Sequence, residues 1–271
     1  MMSSSRWSDL DRPPLSAARL RRAVTDGLTW RDVEVVERTA STNADLAARA
    51  RAGELAGMVL IAEEQTAGRG RLDRRWEAPP RSSLLLSTLL RPAAPTATWT
   101  LLPFVCGVAV AEAVRAVAGL DAELKWPNDV LVDGRKLGGI LVERVDTAVV
   151  MGIGLNVSLR EAELPVPGAT SISLAGGVAD REVLAKEVLR ALARRYRAWA
   201  DDDGAPGAIL PAYREICATI GRDITVALPG GEHMSGRVEG VDDSGRLLVV
   251  TPDGVTHGLS VGDVVHVRPE V

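Results

Sequence analysis

The stretch AELKWPNDVLVDGRKLGGILVERV (residues 122–145) carries three strands in a row. AELK and DVLV read as short strands, and Pro127 in the WPN segment between them makes a turn. Asp133-Gly134 is the dipeptide of a two-residue hairpin, so RKLGGILVERV returns as a third strand beside the second. Beyond it, TAVVMGIGLNVS (147–158) predicts a further strand ending in glycines. Before it lies LLPFVCGVAVAEAVRAVAGL (101–120), the most apolar run in the chain. Pro103, Gly107, Glu112 and Arg115 interrupt that run, so it reads as a buried helix rather than a membrane span.

Outward toward the N-terminus, SSLLLSTLLRP (82–92), GMVLIAEE (57–64) and DVEVVER (32–38) predict strands. STNADLAARARAGEL (41–55) opens with hydroxyl and amide capping residues and ends at Gly53, the signature of a helix. SAARLRRAVTDG (16–27) has helical spacing, and the polar start MMSSSRWSDLDRPPLS reads as a frayed tail. Toward the C-terminus, residues 180–202 predict a long amphipathic helix, and GAILPAYREICATI (207–220) another. From Gly221 the texture changes to short alternating strands cut by Pro-Gly-Gly, Asp-Ser-Gly and Asp-Gly turns. Five such strands in about fifty residues predict a small β-barrel. The expected organisation is a tail and short helix over 1–30, a main domain over 31–220 and the barrel over 221–271.

The 271 residues are 46% hydrophobic and 25% charged, enough for one large domain plus a small one. A net charge of −4 and a pI near 5.5 argue against a bulk nucleic-acid or anionic-membrane binder, so neither DNA nor a membrane is an expected partner. Two cysteines, Cys106 and Cys217, with no signal-like start, point to a reducing cytoplasm. Cys106, inside the apolar helix, reads as inert core. His233, His257 and His266 are the only histidines, so histidine chemistry is unavailable before residue 233. Lysine occurs three times among 32 cationic residues, and two of the three, Lys125 and Lys136, fall inside the 122–145 stretch. Arginine stands almost everywhere else, and a compact ammonium is chemically distinct from it.

Several familiar patterns fail. Gly68-Arg69-Gly70 would need Gly or Ala at position 73 to be a dinucleotide fingerprint, and that residue is Asp73. No Gly-Lys dipeptide exists for a phosphate loop of the Walker type. GLSVG (258–262) matches a serine-hydrolase elbow in letters, yet it runs into the strand DVVHVR where a helix is required.

Four segments remain: STNADL with Ser41, Thr42 and Asn43; EEQTAGRGR with Gln65, Arg69, Gly70 and Arg71; KWPND with Lys125, Trp126, Asn128 and Asp129; and GRKLGGILVE with Lys136 and Gly138-Gly139. Each alone has a plain structural reading, as a helix cap, a solvated turn, a proline turn or a hairpin. Together they supply more. Glycine-flanked arginines present guanidinium forks and backbone N–H groups to an anion. Asn and Asp offer oxygens to Mg2+, and Ser, Thr and Gln orient a polar, uncharged ring. That set suits a carboxylate attacking the α-phosphorus of a nucleoside triphosphate, where two anions repel and no protein base is required.

In this order and spacing STN, QTAGRGR with the following RRW, KWPND, KLGGILVE and GIGLNV resemble the biotin protein ligases, the biotin–[acetyl-CoA-carboxylase] ligases, over about residues 31–271. The resemblance implies an α+β fold: a mixed β-sheet catalytic domain of the biotin/lipoate protein ligase type followed by a Src-homology-like barrel. It implies ATP, biotin and Mg2+, with biotinyl-5′-AMP and pyrophosphate formed first. The biotinyl group then passes to a lysine of the biotin carboxyl carrier protein domain of an acyl-CoA carboxylase.

Residue by residue, the resemblance gives Ser41, Thr42, Asn43 and Gln65 to the biotin head. Arg69, Gly70 and Arg71 form the loop over biotin and the phosphates, and Gly138 lies against biotin. Lys136 bridges the biotin carboxyl and the α-phosphate. Trp76, Lys125, Asn128, Asp129 and Asn156 serve the nucleotide. Asp129 also holds Mg2+ and polarises the incoming lysine. Asp73 departs from the glycine usual in that loop and sets a carboxylate among the arginines. Bifunctional members carry an N-terminal DNA-binding winged helix, for which the 40 residues before Ser41 leave no room, so a ligase without repressor activity is expected, as a monomer or weak homodimer. A lipoate ligase shares the fold and chemistry but has a different arginine loop. An RNA-binding module would need stacking aromatics, and Phe and Tyr total three.

Overall fold

The computed structural model describes residues 11–71, 74–228, 231–260 and 262–266. The elements are α1 (Ala17–Val24), β1 (Asp32–Val36), α2 (Thr42–Arg51), β2 (Met58–Ala62), β3 (Gly68–Arg69), β4 (Arg75–Trp76), β5 (Ser83–Leu90), α3 (Leu102–Ala118), β6 (Ala122–Lys125), β7 (Asp129–Val132), β8 (Arg135–Val145), β9 (Ala148–Asn156), α4 (Arg181–Asp201), α5 (Leu210–Glu215) and the strands β10 (Asp223–Ala227), β11 (His233–Val241), β12 (Leu247–Val250), β13 (Thr256–Leu259) and β14 (Asp263–His266).

Seven strands form one sheet in the order β1-β2-β5-β9-β8-β7-β6. β1 and β2 run parallel and every other pair is antiparallel, so the sheet is mixed. The 122–145 stretch supplies three adjacent strands of it, and Asp133 and Gly134 both take positive φ (50° and 68°) as a primed hairpin turn demands. One face of the sheet is covered by α3 and α4, which pack along each other. α3 is buried along most of its length, so the most apolar run of the chain is a core helix although its length and composition would let it cross a bilayer. Burial pushes the Cys106 thiol pKa up and leaves it unreactive.

The other face is covered only in part. α2 is ten residues long, about 15 Å, and its apolar side seats Leu46, Ala47 and Ala50 on Met58, Leu60, Leu89, Val145 and Val150. Past its N-terminus the same face presents glycines: Gly139 on β8, and Gly152 and Gly154 one strand period apart on β9. Where the helix stops and the side chains vanish, a cavity opens.

The terminal strands form a five-stranded antiparallel sheet in the order β13-β12-β11-β10-β14, with no ladder among the described residues joining its two edges. Its Ile224, Val226, Val241, Leu247 and Val264 belong to the same apolar cluster as the main sheet's helices. Trp126 Nε1 donates to Gly245 O at 3.1 Å, and Arg214 donates to Val241 O. The small sheet is docked, not tethered.

Two expectations change. Residues 11–16 are not frayed. Arg12 donates to Ser158 O at 2.8 Å and pairs with Glu163, Pro13 O accepts from Arg181, and Leu15 N donates to Glu63 Oε1. The anchor is a buried ion pair, Glu63 with Arg181 at 2.7 Å, between side chains only 5% and 6% exposed. Removing either partner strands a charge in the core, at a cost of about 3–5 kcal/mol. The helix expected over 207–220 is also shorter. α5 stops at Glu215, because Leu124 takes the following backbone into a bridge with Cys217.

Candidate functional site

The cavity has a volume of about 750 Å3 and lies between the glycine-lined half of the sheet, the β3–β4 ribbon and the small sheet. Cations dominate its wall: Arg69, Arg71, Arg74 and Arg75 from the ribbon, Lys125, Lys136, and Arg222 from the start of the small sheet. Glu77 and Asp129 are the only acids there among the described residues, so an acidic protein builds a basic concavity. None of the described lining residues is a histidine.

At the α2 end the wall is a chain of hydrogen bonds. Ser41 caps the helix, its Oγ accepting from Ala44 N at 3.4 Å. Gln65 Oε1 accepts from Thr42 N at 2.8 Å and from Thr42 Oγ1 at 3.0 Å. Thr42 Oγ1 lies 2.7 Å from Ser87 Oγ, which donates to Asn43 Oδ1 at 2.6 Å. Asn43 Nδ2 donates to Glu143 Oε2 at 2.7 Å and to Leu141 O at 3.2 Å. Ser41, Thr42, Asn43 and Ser87 are all buried. This seat needs Gly152, since a Cβ there would stand 2.2 Å from Asn43 Oδ1.

The arginine turn expected as a loop is a small antiparallel ribbon. Gly68 pairs with Trp76 and Arg69 with Arg75, and Gly70 N donates to Arg74 O at 2.7 Å. Asp73 lies outside the described residues. The Trp76 ring fills the space above the glycines, with a Cβ on Gly154 falling 2.6 Å from its Cε2 and one on Gly139 3.3 Å from its Cζ3. Beside it Lys136 Nζ meets Asp129 Oδ1 at 2.6 Å. Backbone bonds fix that lysine from both sides, Lys136 N to Gly168 O and Thr170 N to Lys136 O, each 2.8 Å. Asn128 braces the adjacent turn through Nδ2 to Ile140 O at 2.8 Å, and its Oδ1 accepts from Arg71 Nη1 at 3.3 Å. At the end of β9, Asn156 is buried and donates to Thr170 O at 3.0 Å. Its Oδ1 has no partner among the described residues, nor has the buried Trp76 Nε1.

Of the residues singled out in the sequence, Ser41, Thr42, Asn43, Gln65, Arg69, Gly70, Arg71, Trp76, Lys125, Asn128, Asp129, Lys136 and Asn156 all line the cavity. Gly138 does not. A Cβ there would meet Leu155 Cδ2 at 2.4 Å and Gly154 O at 2.6 Å, because alternation turns it to the opposite face; Gly139 is the cavity glycine. Asn43 lines the cavity beside Ser41 and Thr42, and all three described bonds of its amide go to the protein, so it braces the wall. Sequence reading missed Ser87, Glu143, Gly152 and Gly154. The two-residue spacing of the last pair on one strand was the available signal.

Residues 35–158 match the Biotin/lipoate A/B protein ligase family, and residues 219–267 match the Biotin protein ligase C terminal domain. The chain is 41% identical, over 95% of its length and 97% of the relative's, to the biotin–[acetyl-CoA-carboxylase] ligase of Mycobacterium tuberculosis. This chain belongs to the biotin protein ligase family. It is also similar, at 34% identity over 73% of its length and 63% of the relative's, to the bifunctional ligase/repressor BirA of Bacillus spizizenii. Among solved structures, the biotin protein ligase from Aquifex aeolicus in complex with biotin and ATP covers 88% of this chain and is itself wholly covered, with a TM-score of 0.75 and 26% identity. For a biotin protein ligase, a seat of neutral hydrogen-bonding groups beside a cluster of cations is the chemistry its two halves require.

Proposed function

We propose that the chain joins biotin to ATP in this cavity as biotinyl-5′-AMP, and then transfers the biotinyl group to a lysine of an acetyl-CoA carboxylase carrier domain. The observation that carries the reading is the convergence of Lys136, Asp129 and Trp76 over Gly139, between the neutral seat and the arginine ribbon. The ureido ring binds in the neutral seat, where Gln65 Nε2 takes part in no described bond and Thr42, Asn43 and Ser87 hold the wall rigid. The valeryl tail then runs past the Trp76 ring, which packs on the glycines, toward Lys136.

Two anions must meet there. At about 4 Å and an effective dielectric near 20, like charges repel by roughly 4 kcal/mol. The Lys136 ammonium, placed between the biotin carboxylate and the α-phosphate, offsets that repulsion and stabilises the charge that builds on phosphorus. The carboxylate oxygen attacks the α-phosphorus and pyrophosphate leaves. Arg69 and Arg71 hold the phosphates, and Asn156 Oδ1, a buried acceptor without a partner among the described residues, suits the exocyclic amino group of adenine. Asp129 is the carboxylate that would meet a Mg2+ ion carried by the nucleotide, whose charge would help to neutralise the phosphates.

In the second step a neutral lysine amine attacks the biotinyl carbonyl, the acyl C–O bond breaks with its electrons staying on AMP, and the proton shed by the nitrogen passes to the AMP phosphate or to solvent. Asp129 accepts the hydrogen bond that orients the amine once Lys136 has turned to the phosphate.

The test is mass spectrometry of a carrier domain incubated with this protein, Mg-ATP and either biotin or lipoate. A biotinyl mass shift on one lysine, absent with lipoate, is expected. Modification with lipoate alone overturns the assignment.

A further inference from the structure

Residues 11–15 read DRPPL and are fastened to the core. Leu15 N donates to Glu63 Oε1 at 2.6 Å and Pro13 O accepts from Arg181 Nη2 at 2.7 Å, so the segment hangs on the buried Glu63–Arg181 pair. The fixed φ of Pro13 and Pro14 stiffens it. From this base the Arg12 guanidinium reaches the chain that follows β9. Its Nη2 donates to Ser158 O at 2.8 Å and pairs with Glu163, the two side chains being only 15% and 24% exposed. Glu163 Oε2 also accepts from Arg160 N, and Glu163 N donates to Arg160 O, each 2.9 Å, which closes residues 160–163 into a turn. Burial would raise the Glu163 carboxyl pKa, but the hydrogen bonds from Arg12 and Arg160 N outweigh it and hold the group below its usual range.

Directly after this turn, residues 165–169 form a wall of the cavity. That wall holds the lysine. Lys136 N donates to Gly168 O and Thr170 N to Lys136 O, each 2.8 Å, and Thr170 O accepts from Asn156 Nδ2 at 3.0 Å. No strand lies between β9 and α4, so the place of this segment depends on what fastens it. Ser158 N to Ser82 O at 2.8 Å and Ser171 Oγ to Leu159 O at 2.7 Å fasten its ends. Arg12 fastens the turn between them.

We propose that Arg12 is a positioning residue for adenylate formation: by clamping the 160–163 turn through Glu163 it sets the 165–169 wall, and with it the place where Lys136 stands. The proposal rests on the adenylation reading. The Lys136 ammonium has to stand between two anions, and a displacement of about 1 Å at such a group can cost roughly a hundredfold in rate. The neutral seat is independent of the clamp, since Thr42, Gln65 and Ser87 take none of their described bonds from residues 158–170.

The variants Arg12→Ala, Glu163→Ala and the two together test the clamp. Single-turnover adenylate formation is measured at saturating biotin and Mg-ATP, beside biotin affinity without nucleotide and the melting temperature. Each single variant slows adenylate formation roughly tenfold and binds biotin as wild type does. The double variant is no slower than either single one, because both residues act through one contact. Glu163→Gln, which keeps an acceptor for Arg160 N and loses only the charge, falls between wild type and Glu163→Ala. A lower melting temperature with the rate unchanged, the result of a merely structural clamp, overturns the proposal. So does a double variant whose loss is the product of the two single losses, or a loss of biotin affinity equal to the loss of rate. Wild-type protein that forms no adenylate overturns the adenylation reading itself, and the clamp's role with it.

Discussion

At one end of the cavity Thr42, Asn43 and Ser87 are buried and bonded to one another; at the other, Arg69 keeps 48% of its side chain in solvent and holds Glu143 by an ion pair. The first arrangement is completed when the chain folds, because its donors and acceptors lie on α2, β5 and β8, all seated on the core. The second hangs on a two-residue ribbon and is screened by salt. The difference matches the two substrates. A neutral ring gains most from groups already aimed at it, since ordering them at binding would cost affinity. A polyphosphate brings enough charge to organise a loosely held cluster by itself. The protein is rigid where its ligand is weakly polar and adjustable where its ligand is highly charged.

The comparison can be broken by substitution, starting with the group between the two ends. Lys136→Ala removes the cation shared by both anions and slows adenylate formation by about 100- to 1000-fold, with the melting temperature nearly unchanged. Single-turnover pyrophosphate release measures the first and calorimetry the second. Ser87→Ala breaks the buried chain between Thr42 and Asn43. It costs about 1–3 kcal/mol, visible both as weaker biotin binding by titration calorimetry and as a lower melting temperature. Arg69→Ala acts only through the ligand: KM for ATP rises roughly fivefold with stability unchanged, and added salt reproduces the effect in wild type but leaves biotin affinity alone. If Ser87→Ala and Arg69→Ala behaved alike, the contrast between the two ends would be wrong.

The smallest effect lies far from both ends. A hydrogen bond from Arg19 holds the Glu182 carboxyl down at about 2. A depressed carboxylate adds stability above its unfolded value of 4.5, and that stability is lost as pH falls toward 2. Arg19→Gln therefore lowers stability slightly above pH 4.5, neutral pH included, flattens the acid limb of a stability–pH curve, and leaves activity as it was.

Much of this was legible because it is local. The Asp133-Gly134 turn, the Ser41 cap and the strands of the 122–145 stretch are written in neighbouring residues, and each formed as read. The cations of the ribbon stand out in an acidic chain, and Lys136 stands out among three lysines. What was missed is non-local. Glu143 meets Asn43 across 100 positions, and Glu63 meets Arg181 across 118, pairings no spacing announces. Gly138 and Gly139 are equal as letters, and only the strand's facing separates the cavity residue from the packed one. The docking of the small sheet through Trp126 and Gly245 is likewise set by tertiary packing.

The most direct test uses biotin labelled with heavy oxygen in its carboxyl group, incubated with Mg-ATP and a carrier domain. If the cations bring the carboxylate onto the α-phosphorus, one labelled oxygen is carried into the AMP released on transfer. Unlabelled AMP, or ADP as the nucleotide product, would contradict the account.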